Sequence, residues 1–161
     1  MSGEQGSIDL QKLHACLEGI PEVSFAYLFG SWAAGRPQEE SDVDLAVHLR
    51  HPATDDPAAI LRRLIPALSP AVASPHLDLV LLNQAPLLLK HQVLEEGRLV
   101  FCRDRSVWAE FFVRTCDDFA DWLPMLAPHV RATRERILEG KGFGQPGDPE
   151  RSLARARELL G

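Results

Sequence analysis

Asp42 and Asp44 stand one residue apart at the end of the stretch GSWAAGRPQEESDVD, which opens on Gly30 and Ser31. On an extended chain alternate side chains share a face, so Asp42 and Asp44 project together while Val43, Leu45 and Val47 face the other way. Two carboxylates about 7 Å apart along a strand repel each other and resist burial unless a hard divalent cation satisfies their oxygens. Magnesium fits that donor set. It is usually held by one or two carboxylates and completed by water and substrate phosphates, so the pair points to a nucleotide substrate. Gly30 and Ser31 fall where a strand ends and a helical turn begins, a place where free backbone N–H groups converge on an anion. Gly35 permits the turn that brings the loop back. Asp78 lies inside the apolar run HLDLVLL, and a charge there is costly unless paired or metal-bound. On a strand beside that of Asp42 and Asp44 it adds a third carboxylate, able to hold the same metal centre and to take the proton of an incoming hydroxyl.

The elements that must position these residues follow from periodicity. Ile8, Leu10, Leu13, Cys16 and Leu17 predict a leading helix over 8–19, ended by Gly19 and Pro21. VSFAYLF, 23–29, reads as a core strand, 42–49 as a second strand, and 76–82 as a third, deeply buried one. Asp56 and Pro57 open a helix whose stripe is Ile60, Leu61, Leu64 and Ile65, disturbed at Pro66. Another helix runs from Pro86 to Gly97, and RLVFC, 98–102, is a fourth strand. From Asp104 to Glu139 the pattern is helical and is expected to break near Pro124 and Pro128 into two helices. GKGFGQPGDP reads as a linker before a last amphipathic stretch, ERSLARARELL. The expected fold class is α+β: a small mixed sheet flanked by helices, with C-terminal helices. Residues 1–103 would form the core, and 104–161 a helical extension of the same domain.

Gly30-Ser31, ten residues, Asp42-x-Asp44 and a later lone Asp78 in an apolar strand resemble the nucleotidyltransferase superfamily related to DNA polymerase beta. The wider text, LFGSWAAGRPQEESDVDLAV and HLDLVLLNQAPLLLKHQVLEEGRLVF, is similar to its minimal bacterial branch, the MNT antitoxins paired with HEPN-domain toxins. The likeness covers Val23 to about Phe101. It implies ATP as co-substrate, magnesium as cofactor and transfer of AMP to a tyrosine of the toxin, with which the chain would form a hetero-oligomer. It also implies roles: Asp42, Asp44 and Asp78 as metal-binding and catalytic residues, and Gly30, Ser31, Arg36 and Ser41 as nucleotide contacts. Ala34 stands where many relatives carry arginine or lysine, and Arg36 is the nearest cation.

Composition bounds these readings. The chain has 161 residues, 45% of them hydrophobic, which suits a single core. Its net charge of −6 opposes general binding to a phosphate backbone, so nucleic acid is not an expected partner. No run of about 18 apolar residues and no basic-then-apolar leader occurs, giving the expectation of a cytoplasmic protein away from membranes. Cys16, Cys102 and Cys116 are scattered, as reduced buried thiols would be. None of the six histidines has zinc-site spacing. His48 shares the face of Asp42 and Asp44, and Trp108, Phe111, Phe112, Phe119 and Trp122 read as core or partner surface. Two other functions compete with adenylylation of a toxin. One is an idle site with inhibition by binding alone, and the other is a small-molecule acceptor as in aminoglycoside-modifying relatives. A loop-end pair capping a turn after Ser41 would explain Asp42 and Asp44 blandly, but leaves the Gly30-Ser31 spacing and Asp78 as coincidences.

Overall fold

The computed structural model describes residues 8–35, 42–51, 56–72 and 76–138. The chain divides into two compact units, Met1–Phe119 and Ala120–Gly161. In the first, helix α1 (Leu10–Glu18) leads into strand β1 (Val23–Phe29), β2 (Val43–Leu49), helix α2 (Pro57–Leu68), β3 (Leu77–Leu81), helix α3 (Leu87–Glu96) and β4 (Arg98–Cys102). Helix α4 (Arg105–Leu138) begins in this unit. The strands form a four-stranded sheet in the order β3-β2-β1-β4. β1 runs antiparallel to both β2 and β4, whereas β2 and β3 are parallel, their connection passing through α2. This is the expected α+β class with a mixed sheet.

Local chemistry accounts for the helix starts. Asp9 caps α1, its carboxylate accepting from the N–H groups of Gln11 and Lys12 at 3.1 and 3.0 Å. Asp56 caps α2 through Ala58 N–H, with Pro57 in the first turn where its missing donor costs nothing. Pro66 does not stop α2, which continues to Leu68.

The sheet is covered on both faces. Leu13 and Leu17 of α1 and Ile60, Leu64 and Leu68 of α2 pack on Val23, Ala26, Leu45, Val47 and Leu79. On the other face Val93 of α3, with Leu89 and Leu94, meets Phe25, Tyr27 and Ala46, and Val107, Trp108 and Phe111 of α4 join them. Strand alternation explains the division: odd-numbered β2 residues go to one layer and even-numbered to the other. The Tyr27 hydroxyl accepts from the Trp108 indole N–H at 2.7 Å, so neither buried polar group is orphaned. Arg103, just past β4, donates to the carbonyls of Val23, Leu17, Glu18 and Ile20, tying the end of α1 to the sheet.

Several expectations change. β3 is an edge strand with Asp78 exposed, not a deeply buried one. Its apolar run arises because Leu79 and Leu81 fill the α1/α2 layer while Val80 fills the other, with no further strand beyond it among the described residues. β2 begins at Val43, leaving Asp42 exposed one residue before it. Finally, α4 does not break at Pro124 and Pro128: both lie inside one helix. Each proline deprives only the carbonyl four residues earlier of its donor, and both residues are exposed, where water can take the donor's place. The GKGFGQPGDP linker and the last stretch lie outside the described residues.

Among the described residues no helix is long and apolar enough to cross a membrane. Cys16, Cys102 and Cys116 are free thiols, half-buried rather than buried.

Candidate active site

Register sets the carboxylates side by side. Asp44 of β2 is the direct partner of Asp78 on β3 and of Phe29 on β1, and the next row on the same face is Tyr27, Ala46 and Val80. Phe29, Asp44 and Asp78 therefore form a row across three strands, at the edge of the layer that α3 and α4 cover. Direct neighbours in a sheet bring side chains to about 5 Å, so Asp44 and Asp78 are closer to each other than residues spaced along one strand. Asp42 adds its charge from the exposed approach to β2.

The electrostatics record this convergence. Asp44 is half-buried, and its carboxyl is pushed above the usual carboxylate range, first by loss of solvation and then by the charges of Asp78 and Asp42. Among the described residues, no three His, Cys, Asp or Glu side chains stand as a preassembled cage. Magnesium does not require one, since one or two carboxylates, water and substrate phosphates commonly complete its shell. An all-oxygen pair whose charges already strain each other is suited to such an ion.

Gly30 follows β1 directly and is packed against this row. Its φ is +71°, in the region L-residues rarely adopt, and a Cβ there would collide with the Asp44 carboxylate, with Asp44 Cγ only 3.1 Å away. Only glycine lets the backbone come this near the carboxylates. From Gly30 the chain makes the expected helical turn: Ala34 N–H donates to Gly30 carbonyl at 3.2 Å and Gly35 N–H to Trp32 carbonyl at 3.3 Å. Gly35, φ +68°, closes it. Ser31 is half-buried at the start of that turn, where backbone N–H groups are not all used internally.

Gly30, Ser31, Asp44 and Asp78 are thus gathered at one end of the sheet, with Asp42 beside them. Arg36 and Ser41, also expected at the site, lie outside the described residues. His48 is on the Asp44 face but two rows away, stacked on Phe25 with centroids 4.6 Å apart and edge-on to Phe111. It belongs to the packed layer rather than to the carboxylate row. Sequence reasoning treated Trp32 only as part of the turn and overlooked Asn83. The Asn83 side chain extends the β3 ladder by accepting from Leu49 N–H at 2.8 Å and donating to Leu49 carbonyl at 2.9 Å. A large aromatic beside the Gly-Ser pair was the available signal for the first; nothing in the spacing marked the second.

Known proteins resemble this chain in sequence and in fold. The family model "Polymerase beta, Nucleotidyltransferase" matches residues 11–106. A chain of a toxin–antitoxin complex crystallised with AMP-PNP is 27% identical, with TM-score 0.55, over 82% of this chain and 97% of that one. A chain of a mutant MntA–HpeT toxin–antitoxin pair is 28% identical, with TM-score 0.58, over 83% and 98%. A third, from a tri-AMPylated Shewanella oneidensis HEPN toxin in complex with its MNT antitoxin, is 26% identical, with TM-score 0.50, over 82% and 94%. No curated protein matches the sequence. With the family model spanning more than half of the chain and the carboxylate row and Gly-Ser turn falling inside the matched region, this protein belongs to the polymerase beta nucleotidyltransferase family.

Proposed function

We propose that the protein is a magnesium-dependent adenylyltransferase that transfers AMP from ATP to a tyrosine of a HEPN-type toxin, acting as its antitoxin in a cytoplasmic hetero-oligomer. The observation that carries this reading is the register pairing of Asp44 with Asp78 beside the left-handed Gly30. In this reading Asp42, Asp44 and Asp78 hold magnesium, which supplies neutralisation of charge on the phosphate oxygens. The Gly30 backbone and the Ser31 hydroxyl hold the terminal phosphates, with Arg36 and Ser41 contributing from the same loop. Asp78, exposed at the sheet edge, accepts the proton of the incoming hydroxyl. The hydroxyl oxygen forms a bond to the α-phosphorus, the bond from that phosphorus to the bridging oxygen breaks, and pyrophosphate leaves. In this reading residues 1–103 carry the transfer site and 104–161 are an extension of the same domain.

The origin of the acceptor has support within the chain. Tyr27 is its single tyrosine, and it is only 4% exposed, with its hydroxyl engaged by Trp108. A tyrosine acceptor must therefore come from another molecule. The toxin–antitoxin complexes among the similar structures, one of them with a HEPN toxin, suggest the class of partner. Incubating the chain with α-labelled ATP, magnesium and the product of the adjacent gene tests the reading, with intact and peptide mass spectrometry as readout. AMP on a toxin tyrosine, dependent on magnesium, is expected. Unmodified toxin alongside a modified small-molecule acceptor would replace the partner, and no transfer at all would leave a binding antitoxin.

A further inference from the structure

The carboxylate row and the Gly30-Ser31 turn share an underside. Val43 precedes Asp44 by one residue, Leu77 precedes Asp78 by one, and Leu28 precedes Phe29, the register partner of Asp44, by one, so all three side chains point to the face opposite Asp44. There Leu28, Val43 and Val72 form a small separate core cluster, with Ile8, Leu77, Val100 and Trp32 packed against it. Leu28 is 4% and Val43 0% exposed. Trp32 is the one member supplied by the turn itself. It is half-buried, and its carbonyl accepts from Gly35 N–H, the bond that closes the turn. At the other end of the turn a Cβ at Gly35 would meet no atom of the described residues within 4 Å, whereas Gly30 and Trp32 are in contact with the sheet.

We infer that Trp32 is a positioning residue for the nucleotide, clamping the Gly30-Ser31 turn onto the strands that carry Asp44 and Asp78 so that the turn's phosphate donors and the carboxylates keep a fixed separation. This rests on the adenylyltransferase reading above. The physical basis is preorganisation. A six-residue turn bounded by two left-handed glycines has large freedom when unanchored, and donors that must be ordered by the ligand cost affinity. A bulky indole seated on a cluster continuous with all three site-bearing segments removes that freedom before ATP arrives. The predicted effect is selective. Trp32 acts through the turn, and the turn holds the terminal phosphates, so Trp32 affects binding of a triphosphate but not of a ligand that lacks those phosphates.

The test measures magnesium-dependent binding of ATP and of AMP by calorimetry to the full chain, for the wild type, Trp32→Ala and Trp32→Phe, at a temperature well below each protein's unfolding midpoint. Trp32→Ala is expected to weaken ATP about tenfold while leaving AMP within about twofold, and Trp32→Phe to restore most of the ATP affinity. Equal losses for ATP and AMP would reduce Trp32 to a core residue, and ATP affinity at the wild-type level in Trp32→Ala would remove it from the site altogether. A wild-type chain that does not distinguish ATP from AMP in magnesium would overturn the phosphate role of the turn, and this inference with it. That result is separable from the first two because it appears without any substitution.

Discussion

At the scale of single residues, function and stability pull in opposite directions at Asp44. Its carboxyl is burdened by burial and by two like charges, so the folded state would be content without it. Asp44→Asn is therefore expected to leave the metal-free unfolding midpoint unchanged or raised, while transfer falls by about a hundredfold or more for want of a metal ligand. Thermal unfolding and single-turnover transfer on the same preparation check both halves; a strongly lowered midpoint would contradict the electrostatic account. Gly30→Ala acts through geometry instead. The positive φ and the contact with the Asp44 carboxylate together predict a loss of about 1–2 kcal/mol in urea unfolding and a larger loss of transfer than destabilisation explains.

His48 shows a different consequence of burial. Desolvation, and then the nearby Lys90, hold its imidazole down to about 4, and its Nδ1 is buried without a partner. The unfolded chain takes up that proton near 6.5. Between those values the unfolded state binds more protons, so stability is present above 6.5 and is lost as pH falls toward 4. His48→Gln is expected to flatten this decline in denaturation curves recorded across the window; parallel declines for both proteins would exclude His48 as its source.

At the scale of elements, the sheet is held to its helices by a few directional contacts as well as by apolar burial. Arg103 is the clearest, since one guanidinium satisfies carbonyls at the end of α1 and the start of β1. Its removal leaves those carbonyls without their charged donor, so Arg103→Ala is expected to cost about 1–3 kcal/mol in urea unfolding. ATP affinity should stay at the wild-type level, because the contacts involve the β4 and α1 side of the sheet rather than the carboxylate row. A change in affinity larger than the change in stability would show that α1 communicates with the site.

At the scale of the whole molecule, the single tyrosine makes a control possible. Incubated alone with ATP and magnesium, the chain is expected to gain no AMP on Tyr27, whereas unfolding it exposes that hydroxyl to chemical modification. Peptide mass spectrometry distinguishes the two. AMP on Tyr27 in the native chain would require Trp108 and the α4 layer to open, and would remove the argument for an acceptor supplied by another molecule.

The sequence by itself determined the element types and the nucleotidyltransferase family. The strands 23–29 and 98–102 read true because β-branched and aromatic runs bounded by turn residues have little helical alternative, and Asp56 and the glycines mark ends through local hydrogen bonding and backbone freedom. The Gly-Ser and Asp-x-Asp spacing identified the family for the same reason: a turn and a strand are short-range structures, readable without knowing their neighbours. Tertiary structure alone decided that Asp44 faces Asp78 in parallel register, that β3 is an edge and that Trp32 lies beneath the site. Those facts depend on contacts between residues far apart in the chain, where an apolar residue reads the same whether it fills one face or two, and a proline reads as a break whether or not water can replace the bond it removes.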